Sequence, residues 1–160
     1  MSPVPFVMRK HAPKHASYGL NFAFGGTGVF DTLVSAPNKT TQIDFLQNLV
    51  NQSVYAKSGL QSSLRYVSVA GNDYSTYYAK GGSAKGLPAF IASVVKQIAV
   101  NLKRIHDMGV GKVAVGALQP LGCLPGVTIL NNFQQCNETS NTRREIPQHV
   151  VAANSGKAQQ

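Results

Sequence analysis

Apolar positions along the chain alternate between two patterns, short continuous runs and one long amphipathic stretch. "LNFAF" at 20–24 is a continuous run and predicts a buried strand; it stops at Gly25, Gly26 and Gly28. After a Pro-Asn turn, Thr41-x-x-Asp44 has the form of a capping box, with Ile43, Leu46, Leu49 and Val50 as the core face of the helix that it would open. "LRYVSVA" at 64–70 mixes β-branched and aromatic residues, ends at Gly71-Asn72-Asp73 and predicts a second strand. From 87 to 108 the residues Leu87, Phe90, Ile91, Val94, Val95, Ile98, Leu102 and Ile105 recur at helical spacing. Ser93, Lys96, Gln97, Lys103 and Arg104 take the other face. Gly109 and Gly111 supply the stop, and "KVAVGAL" at 112–118 predicts a third strand that ends in "QPLGCLP".

Strands alternating with helices imply right-handed crossovers and a parallel sheet covered on both faces. Ligands of such sheets bind at the carboxyl ends of the strands. That rule selects "GGTG", "GNDYS" and "QPLGC", one loop after each predicted strand.

Composition changes this picture little. With 160 residues and 43% apolar content, the chain can bury a core of single-domain size. Its net charge of +9 is concentrated at the ends. Arg9, Lys10 and Lys14 at one end, and Arg143, Arg144 and Lys157 less Glu145 at the other, supply more than half of it. The remainder is scattered and forms no basic, aromatic stripe, so no nucleic-acid partner is expected. No run approaches the ~20 apolar residues of a membrane span. "MSPVPFVMRKHAPKH" has no continuous apolar centre of the signal-peptide kind. Made as written, the chain would be cytoplasmic.

The glycine cluster fits neither nucleotide motif. Gly26-Thr27-Gly28 lacks the third glycine of a dinucleotide loop, and no Gly-Lys-Ser/Thr follows. What remains is a tight turn, used either as a simple spacer or to bring backbone N–H groups close to a ligand, as an oxyanion hole requires. No cofactor and no metal site is indicated, since Cys123 and Cys136 are the only cysteines and match no zinc or redox spacing.

Taken together, "GLNFAFGGTGVFDT", "VSVAGNDYSTY" and "PLGCLP", with "CNET" after them, resemble successive blocks of the plant GDSL-type esterase/lipase family, part of the SGNH hydrolases. The resemblance covers about residues 2–141, giving a partial hydrolase domain at 1–141 and a divergent, disordered tail at 142–160. It implies a flavodoxin-like three-layer α/β/α sandwich with a parallel sheet, incomplete at both ends. It also implies hydrolysis of an ester or lipid small molecule by a serine acyl-enzyme mechanism, with no obligate protein partner. Carried over residue by residue, the oxyanion donors are Asn72 and Gly28, with Gly26 as the alternative; Asp73, read from turn chemistry, is expected to bond local backbone and shape its own turn. One departure is Ala70-Gly71-Asn72-Asp73 where the family has Gly-x-Asn-Asp.

The nucleophile and base implied by the family have no counterpart here. Gly-Asp-Ser is absent, and Gly81-Gly82-Ser83-Ala84-Lys85 is not a nucleophile elbow. None of Asp31, Asp44, Asp73 or Asp107 is followed three residues later by His. His11 and His15 lie in the basic N-terminal segment, His149 lies beyond the resemblance, and His106 falls in the last turn of the long helix. The expectation is a truncated, inactive piece of a longer hydrolase, or a module that binds acyl compounds without turnover. The resemblance further implies a secreted parent, with a Cys123–Cys136 disulfide and glycosylation candidates Asn38, Asn51 and Asn137.

Overall fold

The computed structural model describes residues 2–69, 71–116, 121–123 and 125–136. The expected tail at 142–160 and Asn137 lie outside the described residues. Two pairs of parallel strands carry the fold. The first is β1 (Val4–Pro5) beside β2 (Leu20–Asn21), with the short helix α1 (Pro13–Ala16) between them. The second is β3 (Leu64–Ser68) beside β4 (Lys112–Gly116), in register from Leu64 opposite Lys112 to Ser68 opposite Gly116. Parallel strands joined through helices are the α/β arrangement that the alternating pattern predicts.

The first predicted strand is shorter than expected, ending at Asn21 rather than residue 24. The Ala23 N–H donates to the Asn21 side chain (2.9 Å), a local turn that takes this donor away from ladder pairing. The other two strands end at Ser68 and Gly116 rather than at 70 and 118, and residues 70, 117 and 118 lie outside the described residues.

Helix α2 (Lys39–Asn51) also departs from expectation. It starts before Thr41 because Asn38 is its cap, with the Asn38 side-chain Oδ1 accepting from the Thr41 N–H at 3.0 Å. Asp44, freed from the capping box, pairs instead with Arg104 at 2.7 Å. Helix α3 (Lys57–Ser62) occupies a stretch with no clear period. Helix α4 (Asn72–Ala79) begins inside the segment read as a loop.

Helix α5 (Leu87–Asp107) matches its pattern closely. Leu87, Val94 and Ile105 are buried, and Phe90, Ile91, Ile98 and Leu102 pack against the core. Its N-terminal end meets α4 through an aromatic group in which Phe90 stacks on Tyr77 (4.6 Å) and meets the edge of Tyr74 (6.1 Å). A second aromatic group, Phe6, Phe22, Phe24 and Phe45, joins the N-terminal strands to α2. Between these groups lie the glycine turn and the N-termini of α2 and α4. Among the described residues no helix is long and apolar enough to cross a membrane.

Candidate functional site

The loop from Gly25 to Asn38 is held by the two helices that face it at Thr27 to Phe30 and again at Pro37 and Asn38. The Asn72 side-chain amide, at the first residue of α4, donates to the Thr27 carbonyl at 2.9 Å. Asp73 beside it is 2% exposed, and its two oxygens accept from Val29 N–H (2.9 Å) and Phe30 N–H (3.0 Å). Asp73 therefore bonds the backbone of the distant glycine turn, and not the local backbone of its own turn as expected. From α2, the Lys39 N–H donates to the Gly28 carbonyl (3.0 Å), and the buried Gln42 amide donates to Thr27 Oγ1 (3.2 Å) and the Pro37 carbonyl (2.8 Å).

Two of the three glycines now have physical reasons. Gly26 has φ +76°, the left-handed region where a side chain is strained, and a Cβ there would strike Val34. Gly28 is buried against α4, and a Cβ there would stand 2.5 Å from both Asp73 oxygens. Gly25 is exposed with nothing within 4 Å of where a Cβ would sit.

The hydrogen-bond inventory of the turn matters for its chemistry. An asparagine amide has two N–H donors. One of Asn72's is spent on Thr27, and among the described residues the second has no protein acceptor. The same holds for the backbone N–H groups of Gly26 and Gly28. Their settings differ. The Thr27–Gly28 peptide is trans, as are all peptide bonds among the described residues, so the Gly28 N–H points opposite to the Thr27 carbonyl on which Asn72 sits, and Gly28 is buried while Gly26 is exposed.

Beneath the turn is a group of ionisable side chains that periodicity could not reveal. Burial, reinforced by the Arg65 guanidinium, holds the Lys39 ammonium below its usual range, with Asp73 acting the other way. The ammonium donates to Gln42 Oε1 at 3.1 Å. Burial likewise lowers Arg65, whose guanidinium lies 4.6 Å over the Phe22 ring. Tyr55 is raised by burial, partly offset by Arg65.

The structure brings the first two selected loops together through the Asn72–Thr27 bond. Of the third loop, residues 119 and 120 lie outside the described residues, and Leu121–Cys123 forms a short 3-10 turn. Cys123 is bonded to Cys136. Asn38 spends its amide nitrogen on Asp31 (2.7 Å), whereas Asn51 is exposed at the end of α2. His11 is exposed, and so is His106, near the last carbonyls of α5; His149 lies outside the described residues. Among the described residues no cluster of His, Cys, Asp or Glu could hold a metal ion.

Comparison with known proteins places this geometry in a lineage. The family model described as GDSL-like Lipase/Acylhydrolase matches residues 4–159. The chain is 48% identical to GDSL esterase/lipase At5g03610 of Arabidopsis thaliana over 99% of its own length and 46% of that protein. It is 48% identical to GDSL esterase/lipase At3g09930 of the same plant over 94% of its length and 43% of that protein. A third relative, GDSL esterase/lipase At2g36325, is 44% identical over 67% of the chain and 30% of the relative. The chain thus spans a little under half the length of the first two. No solved structure matches it. A family match over nearly the whole chain, on an α/β fold with the glycine turn seated against Asn72 and Asp73, means that the chain belongs to the GDSL-like lipase/acylhydrolase family.

Proposed function

We propose that this chain supplies the carbonyl-oxygen-binding part of an ester hydrolase, and that Asn72 is its central donor. The observation that carries this is the divided use of the Asn72 amide. One N–H is tied to the Thr27 carbonyl, which fixes the side chain, and the other has no acceptor among the described residues. A neutral donor fixed before the reaction needs no reorganisation when negative charge develops on the ester oxygen.

The second donor is the N–H of Gly26, with Gly28 as the alternative. Exposure favours Gly26, and the direction of the Thr27–Gly28 peptide turns the Gly28 N–H away from Asn72. Asp73 and Gln42 do not touch substrate; they position the turn by holding its backbone and Thr27.

Nucleophile and base come from Gly-Asp-Ser and Asp-x-x-His segments that these 160 residues do not contain. By itself the chain binds carbonyl compounds without turnover, and in a full-length parent the same residues stabilise the tetrahedral intermediate of ester hydrolysis. The substrate is an ester or lipid small molecule. The disulfide and the Asn51 sequon are consistent with an exported parent.

A chimera tests this reading. Residues 2–136 replace the matching stretch of GDSL esterase/lipase At5g03610, and hydrolysis of short-chain p-nitrophenyl esters is followed. The expected result is turnover by the chimera, none above buffer by the 160-residue chain, and a kcat loss of about 100-fold or more for Asn72→Ala with KM little changed. An Asn72→Ala chimera as fast as its parent would overturn the assignment.

A further inference from the structure

The loop that follows the glycine turn presents two neighbouring apolar side chains to solvent on a tightly fastened backbone. Leu33 is 66% exposed and Val34 is 46% exposed. Single exposed apolar residues are ordinary. These two differ in how they are held and in what they adjoin.

The base of the loop is closed by the Asn38 side-chain amide, which donates to Asp31 Oδ1 at 2.7 Å. Its middle is pinned by Thr32, whose hydroxyl donates to the Gly26 carbonyl (2.8 Å) and accepts from the Val34 N–H (3.3 Å). The Ala36 N–H then donates to the Val34 carbonyl at 2.9 Å. Thr32 thus links the apolar pair to Gly26 itself. The side chain of Val34 occupies the space beside Gly26 so closely that a Cβ on Gly26 would lie 2.6 Å from Val34 Cγ2. The Val34 methyls therefore flank the Gly26 backbone, and a chain extending from a carbonyl bound at Gly26 can lie along Val34 and the adjoining Leu33.

We propose that Leu33 and Val34 form the lip that receives the apolar chain of the ester, and that they set the preference for its length. This inference rests on the reading of Gly26 and Asn72 as the carbonyl-oxygen site. Thr32 is a positioning residue, since it holds Val34 beside Gly26 and touches no substrate. A lip on the surface covers a methylene on one side only, so each added carbon gains part of the full transfer free energy. The expected gain is about twofold in affinity per methylene.

Methyl ketones of increasing length, 2-butanone, 2-hexanone and 2-octanone, present a neutral carbonyl oxygen that is not hydrolysed. They are titrated into the isotope-labelled 160-residue chain, with the Gly26 amide and the Asn72 side-chain amide as NMR reporters. All three ketones should shift both reporters, with 2-octanone binding at least tenfold more tightly than 2-butanone. In Leu33→Ser/Val34→Ser the ratio of 2-octanone to 2-butanone affinity should fall toward one, so that the dependence on length flattens. A dependence on length that persists in the double variant, or none in the parent chain, overturns the lip while the carbonyl site stands. If no ketone shifts either reporter, the carbonyl site fails and the lip fails with it.

Discussion

Replacing Asp73 and Gly28, singly and together, measures how firmly the glycine turn is fastened to α4. Each bond from a backbone N–H to a carboxylate is worth roughly 1.5–3 kcal/mol. Asp73 accepts two such bonds while 2% exposed, and the Val29 N–H that it serves belongs to a residue that is 1% exposed. Asp73→Ala should therefore cost about 4 kcal/mol, because it leaves those donors without a partner in a buried place. Against the 5–15 kcal/mol of a typical domain this is a large share. Asp73→Asn keeps one acceptor but turns an N–H₂ toward a backbone N–H, and should cost about 2–3 kcal/mol. Gly28→Ala should cost about 2 kcal/mol, because its Cβ would lie 2.5 Å from both Asp73 oxygens while its φ is one that alanine accepts. The two losses should not add. In the Asp73→Ala background the space behind Gly28 is empty, so Gly28→Ala should cost less than about 0.5 kcal/mol, a coupling near 1.5 kcal/mol. Equilibrium urea unfolding followed by circular dichroism gives all four stabilities. Hydrogen exchange at Val29 and Phe30 in Asp73→Asn gives the local effect if the alanine variant does not fold. Equal costs for Gly28→Ala in both backgrounds would refute the reasoning.

Three further outcomes follow from particular side chains. Asn101 is 3% exposed, and among the described residues its amide nitrogen has no partner while its oxygen accepts from Thr40 and Gln97. Relief of one buried donor offsets the loss of two accepted bonds, so Asn101→Leu should change stability by less than about 1 kcal/mol, whereas a loss above about 2 kcal/mol in urea unfolding would contradict that balance. The lowered Lys39 value means that the unfolded chain binds more protons than the folded one in the window below about pH 10.4. Stability relative to Lys39→Met should consequently rise with pH through that window and level off above it, and a falling difference in urea unfolding between pH 8 and 10.5 would contradict the cause assigned. If the protein is expressed through a secretory pathway, mass spectrometry should find glycan at Asn51 and none at Asn38. The Asn38 amide nitrogen closes the loop on Asp31, and a glycan there would open it.

The helices were legible where burial has a period. The α5 pattern survives because one face meets the core along its whole length, although Asn101 sits on that buried face and bonds to Gln97 and Thr40. The start of α2 was misplaced because Thr41-x-x-Asp44 and Asn38 both carry cap chemistry, and only the tertiary pull of Arg104 on Asp44 decides between them. Strand lengths depended on local competition that pattern ignores, as when Asn21 takes the Ala23 N–H. In the site, Asn72 and the glycines could be selected from loop position and resemblance. Gln42, Thr32 and Lys39 could not, because their roles come from contacts with residues that a one-dimensional pattern leaves unrelated. Gln42 looks like an ordinary polar position on α2, yet it is 1% exposed and holds both Thr27 and Pro37.

The most direct test of the account is the kcat of Asn72→Ala in the chimera with the Arabidopsis relative, measured with p-nitrophenyl butyrate at saturation. The account predicts a fall of about 100-fold or more with KM changed by less than about threefold, the mark of an interaction made in the transition state. A kcat within about twofold of the unmutated chimera would show that Asn72 holds the turn and takes no part in stabilising the reacting oxygen.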